Sequence, residues 1–134
     1  MRGQPTRRVA VVGGVRIPFC RAHTAYARCS NQDMMTAVLR TLVTRYGLEG
    51  QRLGDVALGA VIKHSRDFNL ARESTLSSGL APETPAFDIQ RACGTSIEAA
   101  MASGAASSPG ATAIVVMEAH TTRRGCFVSA RAGS

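Results

Sequence analysis

The hydrophobic positions along the chain predict strands and helices in alternation. Residues 9–12 form a continuous apolar run that ends at two glycines, a pattern typical of a strand buried on both faces. Further strands are predicted at about residues 55–62, 86–90 and 111–117. This alternation of strands with helical segments favours a layered α/β domain.

Three helices are predicted between these strands. The clearest begins at Ser30, where Asp33 completes a Ser-x-x-Asp capping box, and it ends before Gly47. Apolar side chains recur along one face of this helix, as expected for packing on a core: Met34, Met35, Val38, Leu39, Leu42, Val43 and Tyr46. A short helix is predicted at about residues 69–78, and a third at about residues 96–106.

The strongest chemical signal is Cys93. A short apolar run leads into it, and Thr95 and Glu98 form a Thr-x-x-Glu capping box that predicts a helix start just after it. A cysteine ahead of a helix N-terminus lies where backbone N–H groups and the helix dipole stabilise a thiolate. Gly94 leaves room beside it for a substrate carbonyl group. This pattern predicts a nucleophile on a strand-to-helix turn. The alternative is a buried core residue, which is the commoner role of a free cysteine.

The basic residues are concentrated at the two ends of the chain. The net charge is +7, from 16 Lys and Arg against 9 Asp and Glu. Residues 33–118 hold seven of the basic residues and all nine acidic ones, so the central part of the chain is close to neutral. Because no basic cluster is interleaved with aromatic residues, we expect no binding of nucleic acid.

The cysteine spacing argues against two common structural roles. Cys20, Cys29, Cys93 and Cys126 form no Cys-x-x-Cys pair and have no paired histidine spacing, so we expect neither a zinc site nor a disulfide framework. Residues 1–8 are followed by no signal-type apolar stretch, and no run has the length of a membrane span. We therefore expect a cytoplasmic protein with reduced thiols.

Several segments carry a resemblance to a known family. They include an Arg-x-Pro-Phe element, an Asp-Val-x-x-Gly-x-Val element and a Cys-Gly-Thr-Ser element, and they lie at residues 8–19, 53–61, 69–73 and 90–96. In order and approximate spacing they resemble the thiolases, the acyl-CoA acyltransferases of fatty-acid β-oxidation. Residues 23–26 and 62–68 look most like the thiolase subunit of a bacterial or mitochondrial β-oxidation multienzyme complex. The resemblance fades after residue 102.

The resemblance implies a fold and a reaction. The fold is a truncated thiolase-like N-terminal half, an α/β/α arrangement with helices on both faces of the sheet. In the reaction, Cys93 attacks the ketone of a 3-ketoacyl-CoA, and carbon–carbon cleavage leaves an acyl-cysteine and releases acetyl-CoA. A second CoA thiol then takes the acyl group. Coenzyme A thioesters are the implied substrates, with no metal or bound prosthetic group.

The partners follow from the same resemblance. They are acyl-CoA and CoA, further copies of the chain or full-length thiolase, and a β-oxidation hydratase/dehydrogenase subunit. In the family, the catalytic histidine and a second cysteine lie in Gly-His-Pro, Asn-Glu-Ala-Phe and Cys-x-Gly-Gly-Gly segments, and this sequence contains none of them. We interpret His23 and His64 as loop or surface residues, and we expect Arg66 and Asp67 to hold loops or a subunit interface.

Two functional interpretations therefore stay open. The first is an acyltransferase with Cys93 as nucleophile, which acts only when the rest of the catalytic apparatus is supplied. The second is a non-catalytic thiolase fragment that only associates with intact thiolase subunits. In both, we expect the isolated chain to be inactive.

The chain divides into three segments. We predict a disordered basic N-terminus at residues 1–8, a partial thiolase N-terminal domain at residues 9–118, and an aberrant, disordered basic tail at residues 119–134. This division places all the predicted strands and helices in the middle segment.

The end of the chain departs from the family pattern. Residues 115–118 read Val-Val-Met-Glu where the resemblance leads us to expect two glycines and an acid, and residues 123–131 match nothing in the family. We interpret the chain as a truncated or frame-shifted product of a thiolase gene. The strand at residues 111–117 is then expected to lack a neighbour and to form an open sheet edge.

Overall fold

Five strands and three α-helices form the described part of the chain, which covers residues 9–21, 23–106, 113–119 and 127–132 of a computed structural model. Their order is β1 (Gly13–Val15), α1 (Asn31–Tyr46), β2 (Asp55–Ala60), α2 (Leu70–Leu76), β3 (Ala86–Asp88), α3 (Thr95–Ala106), β4 (Ala113–Ala119) and β5 (Phe127–Ala132). A single 3₁₀ turn, Ser65–Asp67, precedes α2. Within these ranges no helix has both the length and the apolar character that crossing a bilayer requires.

The strands form one mixed sheet in the order β1-β5-β4-β2-β3. Strand β2 lies parallel to β3 and to β4, with Val56 opposite Ala86 on one side and Val115 on the other. Strand β5 lies antiparallel to β4 and to β1. Parallel strands need crossover connections, and here the crossovers contain helices α2 and α3. The α/β class expected from the sequence is confirmed.

Helices cover both faces of the sheet, as expected. Alternate side chains of β2 point to opposite faces, so Val56 and Leu58 pack with α1 and α2 while Ala57 packs with Ala99 of α3. The face beneath α1 and α2 holds the main hydrophobic core, which includes the fully buried Leu39. The face beneath α3 holds a second, smaller cluster, in which Phe87 and Ile89 pack against Ala57 and Ala99.

Helix α1 begins and ends as its sequence predicts. The Ser30 hydroxyl accepts a hydrogen bond from the Asp33 N–H at 3.1 Å, and the Asp33 carboxylate accepts one from the Ser30 N–H at 2.8 Å. At the other end Gly47 adopts a left-handed conformation with φ of 62°, which glycine takes without a steric penalty. Both ends are therefore fixed by local contacts that the sequence alone specifies.

The capping box gives α1 a pH-dependent contribution to stability. The Ser30 backbone hydrogen bond, and then its hydroxyl, lower the pKa of the Asp33 carboxyl. A carboxyl with a lowered folded-state pKa stabilises the fold above its unfolded pKa of about 3.9, and this contribution is lost as pH falls through the lower folded value. Asp33 is exposed, so the effect is small.

We expect Asp33→Asn to lower the melting temperature by a few degrees at pH 7 and by less at pH 2.5, because the charged fraction of the wild-type carboxyl falls as the pH falls. Thermal melts at both pH values, with the exposed Glu49→Gln as a control that should change neither, measure this difference. An equal loss at both pH values would contradict a role for the Asp33 charge.

Helix α2 is attached to the sheet by the carboxylate of Asp88. Its oxygens accept hydrogen bonds from the Leu70 N–H at 3.2 Å and the Ala71 N–H at 2.6 Å, which lie in the first turn of α2. The same carboxylate forms a 2.6 Å ion pair with Lys63. Because Asp88 ends β3, these contacts connect the strand that leads to Cys93 with the start of α2.

The predicted first strand is wrong in position. Residues 9–12 are not in a strand, and Val9, Val11 and Val12 are 49%, 73% and 47% exposed. The strand lies at Gly13–Val15 instead, where it pairs with β5 at the edge of the sheet. An apolar run is buried only where neighbouring elements cover it. Here pairing with β5 begins at Gly13, so residues 9–12 lie outside the paired part of the sheet.

The predictions for the end of the chain also need correction. Residues 127–132 form β5, so the tail is not disordered over this stretch. Strand β4 lies between β2 and β5 and is not an open edge. Antiparallel pairing with β5, from Glu118 opposite Phe127 to Ala113 opposite Ala132, supplies its second set of backbone partners. Residues 1–8 and the remaining tail positions, 120–126 and 133–134, lie outside the described residues.

Candidate active site

Cys93 lies on a tight connection between β3 and α3. The strand direction continues to Ile89, whose N–H donates to the Leu58 carbonyl at 2.9 Å, and the chain then turns through residues 91–94. Helix α3 follows at once, since the Glu98 N–H donates to the Gly94 carbonyl at 2.9 Å. Cys93 is exposed and free. Its exposure excludes the core-residue alternative and leaves the thiol accessible ahead of a helix.

The turn before Cys93 has an unusual backbone. Ala92 has a φ of 44°, in the left-handed region where residues with a Cβ are uncommon. Two hydrogen bonds close the turn, from the Gly94 N–H to the Arg91 carbonyl at 2.9 Å and from the Thr95 N–H to the Ala92 carbonyl at 3.3 Å. Strained backbone beside a nucleophile is a recurrent feature of strand-to-helix turns in enzymes.

The predicted capping box at Thr95 does not form. Thr95 is the first residue of α3, and its hydroxyl contacts the preceding turn: it accepts from the Arg91 N–H at 2.9 Å and donates to the Ala92 carbonyl at 2.7 Å. The Glu98 carboxylate forms an ion pair with Arg91 at 2.9 Å. The box fails because the turn presents nearer partners to both side chains.

Gly59 of β2 lets the turn approach the sheet. A Cβ built on Gly59 would overlap the Ile89 carbonyl oxygen and the Thr95 methyl group. Glycine within a strand often marks such a close approach of another backbone. The position of Cys93 therefore depends on a missing side chain one strand away.

The two described histidines lie outside this turn. His23 and His64 are both exposed, as expected for loop and surface residues. His64 caps the short 3₁₀ turn, where its N–H donates to the Asp67 carboxylate at 3.1 Å, and buried Asp67 also accepts from the Asn31 side chain at 3.0 Å. Asp67 thus holds a loop, as predicted.

No cluster of three His, Cys, Asp or Glu able to hold a metal ion occurs in the described ranges.

Next to the turn, the outer face of α3 is apolar and exposed. Ile97 and Met101 are 67% and 64% exposed, whereas Ala99 and Ser103 on the inner face are buried against the sheet. Residues four apart lie on one helix face, so the two large side chains form a continuous apolar stripe that begins close to Cys93. This stripe has the character of a surface that another part of a protein covers.

The described residues form an α/β domain that presents Cys93 on a strand-to-helix turn. The family model for the thiolase N-terminal domain matches residues 9–120. The chain therefore belongs to the thiolase family.

Named relatives and a solved structure agree with this assignment. The chain is 38% identical over 92 residues to a 3-ketoacyl-CoA thiolase of Photorhabdus laumondii, an alignment that covers 69% of this chain and 21% of that protein. It is 32% identical over 101 residues to a 3-ketoacyl-CoA thiolase of Vibrio cholerae, covering 75% and 23%. The fold is similar to the Bacillus anthracis acetyl-CoA acetyltransferase with a TM-score of 0.75 and 25% identity, covering 87% of this chain and 30% of that one. The chain thus spans about a fifth of the length of the relatives it matches.

The sequence singles out Cys93 but not Gly59 and Ala92, which shape the turn that carries it. Gly59 had a usable signal, because a glycine in the middle of a predicted strand indicates a close approach. Ala92 had none, since alanine does not favour a positive φ and nothing in its neighbours indicates one.

Proposed function

We propose that Cys93 is the acyl-accepting nucleophile of an acyltransferase of the 3-ketoacyl-CoA thiolase type. The observation that carries this proposal is an exposed free thiol on a constrained turn directly ahead of α3, within a thiolase N-terminal domain. A helix N-terminus favours negative charge, which suits both a thiolate and the oxyanion formed from a carbonyl group.

The proposed reaction has two steps. The Cys93 thiolate adds to the ketone carbon of a 3-ketoacyl-CoA, and the bond between the second and third acyl carbons breaks. The electron pair stays on the second carbon, which takes a proton to give acetyl-CoA, while the acyl group stays on Cys93 as a thioester. The thiol of a second CoA loses its proton, attacks this thioester and restores the Cys93 thiolate. A thiol and CoA thioesters suffice for these bonds, so the proposal includes no metal or prosthetic group.

A second candidate function is association without catalysis. The exposed stripe of Ile97 and Met101 favours it, because large apolar side chains exposed side by side can be covered by a partner. The partner we propose is a full-length thiolase subunit or a further copy of the chain, with a β-oxidation hydratase/dehydrogenase subunit in the same assembly. The named relatives are bacterial, which supports a bacterial cytoplasmic location.

Trapping of an acyl-enzyme tests the first candidate. We expect incubation with acetyl-CoA to add one acetyl group to a fraction of the chain, with peptide mapping by mass spectrometry placing it on Cys93. Cys93→Ser should remove the acetylated thiol, and Cys29→Ser, a change at another exposed cysteine, should leave it unchanged. Acetylation spread equally over Cys29 and Cys93, or none at all, would contradict the proposal.

Repeating the incubation with a full-length thiolase separates the two candidates. Acetylation of Cys93 that rises when the full-length subunit is present supports a nucleophile that needs the missing apparatus. Co-elution with the full-length subunit in size-exclusion chromatography, with no acetyl group on Cys93, supports association alone.

A further inference from the structure

We propose that Thr95 is the positioning residue for Cys93, and that its hydroxyl holds the strained turn at residues 91–94 in the conformation that presents the thiol. This inference rests on the proposed role of Cys93. Thr95 acts through Cys93 and contacts no reacting atom, so its effect is on the geometry of the turn.

The hydrogen bonds of Thr95 join the two ends of the turn. Its hydroxyl oxygen accepts from the Arg91 N–H at 2.9 Å, and its proton goes to the Ala92 carbonyl at 2.7 Å. A hydroxyl can donate and accept at once, so at this size only threonine and serine can make both bonds. Thr95 is fully buried, which removes water as a competing partner for the hydroxyl.

The turn needs such a contact because of Ala92. A residue with a Cβ keeps a φ of 44° only where its surroundings hold it there. The Ala92 carbonyl accepts from both the backbone and the hydroxyl of Thr95, so one residue fixes the orientation of the peptide that leads into Cys93.

The sheet in turn fixes the side chain of Thr95. Its methyl group occupies the space that a Cβ on Gly59 would fill, so the rotamer is set by contact with β2. Gly59 therefore leaves room for the Thr95 methyl group, and this contact orients the Thr95 hydroxyl. The hydroxyl in turn holds the turn that presents Cys93. Valine keeps the methyl group and loses the hydroxyl, whereas serine keeps the hydroxyl and loses the methyl group.

The test compares Thr95→Val with Thr95→Ser in the full chain. The readout is the rate of iodoacetamide alkylation at Cys93 divided by the rate at Cys29 in the same molecules, measured by peptide mass. Cys29 is exposed and serves as an internal reference. A general loss of stability affects the alkylation of both cysteines, so it does not by itself lower the ratio. We expect Thr95→Val to lower the ratio about three- to tenfold, the range for losing one or two hydrogen bonds, and Thr95→Ser to keep it within about twofold.

Two outcomes would overturn the proposal. One is a folded Thr95→Val variant whose ratio stays within about twofold of wild type, and the other is a Thr95→Ser variant that falls as far as Thr95→Val. If Thr95→Val does not fold, Thr95→Ser decides: wild-type hydrogen exchange at the Arg91 amide and a wild-type ratio support the role of the hydroxyl, and loss of either contradicts it.

This test and the test of the proposed function fail in different ways. A wild-type chain that takes no acetyl group, but shows the expected alkylation ratios, would contradict the role of Cys93 in acyl transfer and retain that of Thr95. If the wild-type chain is acetylated on Cys93 but Thr95→Val leaves the alkylation ratio unchanged, the role of Cys93 is retained and that of Thr95 is contradicted.

Discussion

Replacing Gly59 with alanine is expected to lower the free energy of unfolding by about 2–3 kcal/mol, in the upper part of the range for overpacking a closed site. The added methyl group overlaps the Ile89 carbonyl oxygen, which belongs to the backbone and cannot turn away, and the Thr95 methyl group. To accommodate it, β2 or the turn that carries Cys93 must move. Urea denaturation measures the change in the unfolding free energy.

Gly104→Ala is the matched control for Gly59→Ala. Gly104 lies inside α3, and among the described residues a Cβ there would meet the Val9 side chain alone, at 3.7 Å, an ordinary contact. Alanine is more favourable than glycine inside a helix by up to about 1 kcal/mol, so this substitution should leave the free energy of unfolding unchanged or raise it. A Gly59→Ala variant as stable as Gly104→Ala would show that the turn does not pack against β2 as closely as described.

Local signals in the sequence predicted α1 well. The Ser30–Asp33 capping box and the left-handed Gly47 depend on residues within one turn of each other, and both form as the sequence predicts. The buried stripe between them was equally predictable, because helix periodicity places it on one face.

Contacts between distant residues account for the misplaced elements. Residues 9–12 have the composition of a buried strand, yet the pairing that makes β1 involves the next three residues and β5, which lies more than 100 positions further on. A separate pairing, of β4 with β5, places β4 inside the sheet and gives the tail a strand. Composition reports how well a segment suits a strand, whereas its neighbours decide whether it becomes one.

The candidate site shows the same division. An apolar run, a cysteine and a helix start are local signals, and the strand-to-helix turn that they predict does form. The role of Thr95 was misassigned because the pattern Thr-x-x-Glu does not reveal that Ala92 takes a positive φ and brings the turn within reach of the hydroxyl. A glycine within the predicted strand indicates a close approach at Gly59, whereas the groups that approach it, Ile89 and Thr95, are identified only in the folded chain.

The purified 134-residue chain is expected to show no measurable multiple turnover as a thiolase. Thiolysis needs a base to form the Cys93 thiolate and a second acid–base group to handle the proton of the departing carbanion. Each such group typically contributes about 10²- to 10⁴-fold to the rate. The resemblance places both in segments that this sequence does not contain. A lost oxyanion donor removes about 10²- to 10³-fold more.

Loss of acetoacetyl-CoA absorbance in the presence of CoA is the direct assay. We expect the wild-type chain to match Cys93→Ala at long times, because a Cys93 that is acylated once has no second group to complete the cycle. A second assay adds a full-length thiolase whose own nucleophilic cysteine is replaced by alanine. If the two chains form one site, the mixture with the wild-type chain should turn over more acetoacetyl-CoA than the mixture with Cys93→Ala. Multiple turnovers by the chain alone, abolished by Cys93→Ala, would show that a group within these 134 residues acts as the base. His64 is then the first residue to replace, since it is exposed and lies on the loop beside Lys63, which pairs with the last residue of β3.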